Sequence, residues 1–342
     1  MNSFYRLFLL VFLTASSIHP LFAQWMQTNG PYGGIINSVA VSTNESGITN
    51  LFAATWGSGV YLSTNNGTNW TAVNNGLTYL YIQDLIVYND GSGKTYLFAG
   101  TGGQGIFLST DNGANWSKIG DGLFDLDFVR SFVVTSNQNS EMNLFAGTFG
   151  GGVFLSTDNG TSWTAVNNGL TETFVTTLAL SPDGTNLFAG TLGGGVFIST
   201  NNGANWTKVN NGLTNMSVFA LAISSNGAGG TDLFAGTVAG VFRSIDNGTN
   251  WTKINNGLSN TNVRSLEILP NGTGGINIFA GTFFGGIFLS TDYGESWTEF
   301  NSGLTNKYIS SFALAPDGNG GTNLFAGTYG GGIFLLSNTG TN

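Results

Sequence analysis

The chain has 342 residues, 18 of them acidic and 9 basic, with a formal net charge of −9 and no cysteine. Those totals exclude a disulfide framework, a thiol nucleophile and a thiolate metal site, and they make nucleic acid and anionic lipid poor partners. Charged residues are only 8% of the chain, so Asn, Thr, Ser and Gly must form the surface, while 41% hydrophobic content in periodic runs argues against disorder.

Residues 1–23 carry the marks of a secretory signal peptide. Arg6 supplies the positive start, Leu7 to Leu13 an apolar core too short to span a bilayer, and Ala23 a small residue at the cleavage point. The mature domain is therefore expected over residues 24–342, secreted or at the cell surface. Removal of the leader takes Arg6, leaving −10, and also His19, the only histidine. Without imidazole there is no Ser-His-Asp triad, no His-rich zinc motif and no histidine proton shuttle. No later segment is apolar enough to cross a membrane.

From Trp25 onward the chain repeats. Trp70, Trp116, Trp163, Trp206, Trp251 and Trp297 follow at intervals of 45, 46, 47, 43, 45 and 46 residues. The unit after Trp163 shows the pattern. Val175 to Leu180 is a first apolar run, ended by the turn SPDGTN. Leu187 to Thr191 (LFAGT) is a second, followed by a glycine hairpin at Gly193 to Gly195. Val196 to Ser199 leads into a box of polar residues, and Trp206 to Val209 closes the unit. Runs this short, with Asp-Gly and Gly-Gly turns, predict antiparallel strands. They are apolar on both faces, so each sheet must be covered on both sides. Four strands per unit of about 45 residues predict a β-propeller. Inner strands beginning near Ile36, Ile82, Val129, Val175, Val218, Val263 and Ile309 make seven blades. The chain ends on a third strand, Ile333 to Leu336, which predicts that the strand at Trp25 completes the last blade. Closure of this kind leaves no sheet edge open.

The box recurs six times: STNNGTNWT at Ser63, STDNGANWS at Ser109, STDNGTSWT at Ser156, STNNGANWT at Ser199, SIDNGTNWT at Ser244 and STDYGESWT at Ser290. Ser-x-Asp/Asn-x-Gly-x-x-Trp resembles the Asp-box, or BNR, repeat of sialidases, sortilin-type receptors, xyloglucan-hydrolase propellers and photosystem II assembly-factor propellers, and the resemblance covers nearly all of residues 24–342. Asn65, Asp111, Asp158, Asn201, Asp246 and Asp292 suit hydrogen bonding within their own turn, and Asn replaces Asp freely, so no charge is required. The six box tryptophans, each burying on the order of 150–250 Å² or roughly 4–6 kcal/mol, suit packing between blades. The box therefore reads as structural. The resemblance implies that these turns lie on the face opposite the binding face.

That leaves the departures from the repeat as site candidates. At the hairpin after the LFAGT-like run stand Trp56, Phe149, Phe283 with Phe284, and Tyr329. The loops entering the inner strands add Tyr32, Tyr79, Tyr81, Phe124, Phe174, Met216 and Tyr308. Such aromatics stack on sugars, anchor a protein or wedge between blades. Arg130 and Arg264 share a register that holds Asn37, Gln83, Thr176, Phe219 and Ser310 elsewhere. Asp84 lies one residue further along its strand, and Glu267 replaces Ala or another apolar residue. Two readings stay open: an ion pair plugging the channel, or a polar anchor for an anionic or hydroxyl-rich ligand. Asp121, Asp125 and Asp127 form the densest acidic cluster, in a spacing unlike an EF-hand. Gly100 to Gly105 fits GxGxxG but sits in a hairpin with no helix following. A sialidase resemblance would imply three convergent arginines and an Arg-Ile-Pro start. Only Arg130, Arg243 and Arg264 follow the leader, and no Arg-Ile-Pro occurs.

The expectation is a monomeric, secreted, non-catalytic propeller without metal or cofactor, binding polysaccharide or extracellular protein through an aromatic rim. The alternative is a single-propeller glycoside hydrolase using Asp84 and Glu267.

Overall fold

The second run of every repeat becomes the most deeply buried strand of its sheet. Its phenylalanine (Phe52, Phe98, Phe145, Phe188, Phe234, Phe279 or Phe325) has at most 2% of its surface exposed. The following threonine is wholly buried and closes the hairpin to the third strand. Thr148 Oγ1, for example, donates to the Gly152 carbonyl at 3.0 Å and accepts from the Gly151 N–H at 3.1 Å. A strand apolar on both faces requires a neighbouring sheet on each side, and a ring of sheets supplies that for all of them.

The computed structural model describes residues 24–31, 34–43, 49–90, 93–120, 123, 128–136, 142–225, 230–272 and 274–337. The leader, Tyr32, Phe124 and the cluster Asp121, Asp125 and Asp127 lie outside the described residues. Within them stand seven four-stranded antiparallel sheets, a seven-bladed β-propeller. Each inner strand begins where the sequence places it, from Ile36 to Ile309. The last blade runs in the order Met26–Gln27, Ile333–Leu336, Thr322–Thr328, Ile309–Pro316, with Met26 opposite Leu335 and Gln27 opposite Phe334. The amino-terminal strand thus closes the ring. Among the described residues no helix is long and apolar enough to cross a membrane.

Blade contacts are sewn by the segment after each tryptophan. Where that segment reads Asn-Asn-Gly-Leu or Asn-Ser-Gly-Leu, the backbone of the next tryptophan folds onto it. Trp297 N–H donates to the Asn256 carbonyl at 2.8 Å and its indole N–H to Ile254 at 2.7 Å. Trp116, Trp206, Trp251 and Trp25 repeat both bonds on their own predecessors. The glycine of the motif is obligatory on two counts. Gly257 has φ +82°, and a Cβ there would come within 3.0 Å of the Trp297 carbonyl oxygen.

Two seams differ, and both lack the motif. After Trp116 the chain reads Ile-Gly-Asp-Gly, and after Trp25 it reads Met-Gln-Thr-Asn-Gly-Pro. At the first, Trp163 turns its indole N–H to Gly160 within its own box. At the second, Trp70 is only half-buried and its indole nitrogen finds no partner. Both indoles still pack against residues of the neighbouring blade, without an indole bond across the seam.

The boxes are hydrogen-bonded turns. In Ser156 to Trp163, Ser156 Oγ donates to Asp158 Oδ1 at 2.8 Å and accepts the Gly160 N–H at 2.8 Å. Asp158 Oδ1 also accepts the Ser162 N–H at 2.9 Å. Asn65 and Asn201 make the same Oδ1 bonds. The aspartates add one more: their Oδ2 accepts from Asn115, Ser162, Asn250 or Ser296. These bonds, led by that side-chain donor, hold Asp111, Asp158 and Asp292 below the usual carboxylate range. At Asp246 partial burial opposes the effect and the bonds from Asn250 and Ser244 overcome it.

Candidate functional site

Each inner strand carries a β-bulge at its second residue. Pairing with the second strand skips from Ile36 to Ser38, Ile82 to Asp84, Val129 to Ser131, Val175 to Thr177, Val218 to Ala220, Val263 to Ser265 and Ile309 to Ser311. The skipped residues are Asn37, Gln83, Arg130, Thr176, Phe219, Arg264 and Ser310. A bulge frees a side chain from the alternation of the strand and re-aims it. All seven line one cavity of about 330 Å³ at the mouth of the central channel, together with Asp84, Ser131 and Tyr308. The shared register was legible in the sequence, whereas the bulge that turns it into a ring was not.

The ring divides by chemistry. Asn37 Nδ2 donates to the Ile82 carbonyl of the next blade at 2.7 Å. Thr176 and Ser310 do the same through their hydroxyls, to Val218 and Ile36. These three hold seams. Arg130 donates to Gln83 Oε1 at 2.6 Å, and its guanidinium lies 5.6 Å from the Phe149 ring. Arg264 lies 3.9 Å from the Phe219 ring and 5.5 Å from that of Phe283. Burial lowers the pKa of both Arg130 and Arg264 against the opposing influence of Tyr308, and the repulsion of Arg264 adds to the lowering at Arg130. The Tyr308 phenol beside them is raised first by burial.

The two carboxylates separate. Asp84 faces the mouth, where it bonds to Ser38 and accepts the Phe132 N–H of the next blade at 2.9 Å. Desolvation raises its pKa to about 6 against these bonds. Glu267 faces a different cavity, of about 740 Å³, lined by the inner strands of the fifth and sixth blades and the turn after Pro270. Its Oε1 accepts the Ile268 N–H at 3.1 Å, and burial raises its pKa to about 7. Neither forms an ion pair with Arg130 or Arg264 among the described residues, so the expectation of an ion pair plugging the channel is corrected. An ion pair among the described residues lies elsewhere: the half-buried Arg243 meets the buried Asp232 at 3.1 Å, with its guanidinium against the Tyr293 ring.

Around the mouth the aromatics pair across blade boundaries. Trp56 bridges to Tyr81, with rings 5.5 Å apart, and Phe149 to Phe174 at 4.7 Å. Wedging and exposure coexist, for Trp56 keeps 43% and Tyr329 48% of its surface in solvent. On the sixth and seventh blades Phe283, Phe284, Tyr308 and Tyr329 form one cluster, and Tyr308 stacks on Tyr329 at 4.7 Å. Phe128 joins the rim, bridged to Gly102, in the register expected for Phe124. The variable loop before it displaced the alignment. In the fifth blade Ser217, not Met216, holds that register, and Met216 packs into the core. Strand order puts the rim and hairpins at one end of the ring and the six boxes at the other. No group of three or more acidic or other metal-ligating side chains occurs among the described residues.

The family profile described as DUF6242 beta propeller domain matches residues 82–311. No curated protein matches the sequence significantly. Among solved structures the chain is similar to an ancestral GH74 enzyme at 20% identity, with a TM-score of 0.73, covering 93% of this chain and 47% of that one. It is similar to the extracellular domain of BT4673 from B. thetaiotaomicron at 16% identity and TM-score 0.68, covering 92% and 40%. Similarity to YCF48 bound to D1 peptide stands at 14% identity and TM-score 0.65, covering 92% and 96%. The chain spans less than half the length of the first two. At these identities the likeness is one of fold.

Proposed function

The chain belongs to the DUF6242 beta-propeller family, and on that premise we propose that it is an extracellular, non-catalytic binding module whose ligand docks at the aromatic-rimmed mouth of the channel. The carrying observation is convergence. Seven bulge residues and the exposed aromatics of the hairpins meet at one end of the ring, around one cavity. In this reading the six turns at the other end are Asp-box repeats with a structural role, and residues 1–23 are the leader that exports the chain. An extracellular domain and a peptide-bound protein among the similar structures support export and binding. The GH74 likeness, which extends to a xyloglucanase, supports carbohydrate as the ligand class. Catalysis by Asp84 and Glu267 is disfavoured because the two face separate cavities, and Asp84 is engaged by Ser38 and Phe132.

The test is retention on immobilised polysaccharides and extracellular-matrix proteins, with reducing sugar assayed in the eluate. Retention without sugar release, weakened by Trp56→Ala or Tyr329→Ala, is expected. Sugar release abolished by Glu267→Gln or Asp84→Asn would establish the hydrolase instead. Retention indifferent to every rim variant would remove the site.

A further inference from the structure

The channel mouth holds two cations that no carboxylate meets in an ion pair among the described residues. Arg130 is bonded only to the neutral Gln83, and Arg264 makes no hydrogen bond or ion pair among the described residues. The Arg264 Nε and the Gln83 Nε2 are buried without partners. A chain with twice as many acidic as basic side chains had carboxylates to spare, and it places one on Arg243. At the mouth the only described carboxylate is Asp84, committed to Ser38 and to the Phe132 N–H, with burial pushing its pKa up to about 6. Keeping two guanidiniums partly desolvated and within each other's field costs stability unless an anion meets them. The arginines lie on bulges, where the sheet imposes no residue type.

Beside Arg264 stands a second anomaly. Gly57, Gly103, Gly150, Gly193 and Gly330 follow the rim residue in five hairpins, all with positive φ. The sixth blade has Phe284 there, at φ +65° and 66% exposed. A left-handed phenylalanine costs about 1–2 kcal/mol, and an exposed ring recovers little of it by burial. It contacts Phe283 and Tyr308 at ring separations of 4.3 and 5.4 Å and leaves a broad apolar surface open to solvent.

We propose that the mouth recognises an acidic carbohydrate, a uronic-acid-bearing oligosaccharide whose carboxylate is held by Arg130 and Arg264 and whose ring stacks on the Phe284–Tyr308–Tyr329 cluster. The proposal rests on the binding-module reading above and names its ligand class. Guanidinium–carboxylate bonds are charge-assisted and directional. The remaining wall is hydroxyl and amide, with the unpartnered Gln83 Nε2 a donor suited to a sugar hydroxyl, and 330 Å³ accepts one or two sugar rings rather than a folded partner. Each inner strand is the edge strand of its sheet, so an extended acidic peptide is the competing occupant that the experiment must separate from the sugar.

The experiment is titration calorimetry at pH 7 with tetragalacturonate, its carboxyl-reduced counterpart, and tetraglutamate. The acid sugar is expected to bind at least 10-fold more tightly than the reduced one. Arg264→Gln and Arg130→Gln should each weaken the acid sugar about 10- to 100-fold, from the strength of a charged hydrogen bond, and change the reduced sugar less than 3-fold. That reduced-sugar affinity doubles as the check on folding. Phe284→Gly, which restores the glycine of the other hairpins, should weaken both sugars several-fold without lowering the melting temperature. Equal affinity for acid and reduced sugars, or indifference to both arginine variants, would overturn the acid preference and leave the binding module standing. Tighter binding of tetraglutamate than of either sugar would overturn it in favour of an acidic peptide. Binding of none of the three, with no rim-dependent ligand on the affinity matrices, would overturn both.

Discussion

Gly257→Ala and Gly318→Ala place the same methyl group on nearly the same backbone, at φ +82° and +81°, in very different surroundings. At Gly318, in an exposed turn of the last blade, a Cβ meets nothing within 4 Å. The left-handed conformation costs alanine about 1–2 kcal/mol, offset by about 0.4–1 kcal/mol from a less flexible unfolded chain. The net loss is about 1 kcal/mol or less. At Gly257 the methyl falls inside van der Waals contact of the Trp297 carbonyl, so the blades must part by roughly an ångström in a close-packed seam. That movement breaks the Trp297 bonds to Asn256 and Ile254, worth about 0.5–1.5 kcal/mol each, and loosens an indole that is 3% exposed. The expected total is about 3–5 kcal/mol. Urea unfolding followed by tryptophan fluorescence measures both. Equal losses for the two variants would show that the glycine is retained for its φ alone and that the seam tolerates a methyl group.

Trp206→Phe should cost about 1–2 kcal/mol because it removes the indole bond to Val166, whereas Trp70→Phe deletes a donor without a partner and should be neutral or stabilising in thermal melts. A larger loss at Trp70 would mean its nitrogen is satisfied in solution. Asp158→Asn keeps both Oδ1 bonds and loses only the Oδ2 bond to Ser162, so the fold should survive with a loss of about 1 kcal/mol or less; unfolding would show that the charge is required. Glu267 has a raised folded pKa of about 7, so its neutral form is favoured in the native state, and stability falls as pH rises from about 4.5 through 7. Glu267→Gln should therefore raise the melting temperature at pH 8, by up to about 3 kcal/mol of stability, and leave it nearly unchanged at pH 4; equal shifts at both would sink the assignment. Asp111, Asp158 and Asp292 have the opposite sign: the stability they confer is present above the unfolded pKa near 4 and lost as pH falls through their lowered folded values.

The ring was legible because each repeat states the same local rule. Leu-Phe-Ala-Gly-Thr fixes the buried strand, the box fixes the outer turn, and the spacing of tryptophans counts the blades. The register of Arg130 and Arg264 followed from that alignment. What was hidden depends on tertiary pairing. A bulge is a property of two strands, and seven unlike residues at the bulge share no motif. Asp84 and Glu267 looked like partners because both are acidic departures on inner strands, but position along the strand sends them to different cavities. Phe128 escaped notice because the loop before it differs from its siblings. The exceptional seams at Trp70 and Trp163 were readable in principle, since the Asn-Asn-Gly-Leu segment is missing before each.

The ring of bulges separates what must stay from what is free to change. Asn37, Thr176 and Ser310 spend their polar atoms on the backbone of the next blade, whereas Gln83, Arg130 and Arg264 turn theirs to one another or to the cavity and Phe219 offers its ring to Arg264. Four positions around one opening can thus be rewritten without disturbing a ladder or a core phenylalanine. A propeller built this way is a socket with interchangeable pins, and new selectivity needs substitutions rather than new loops.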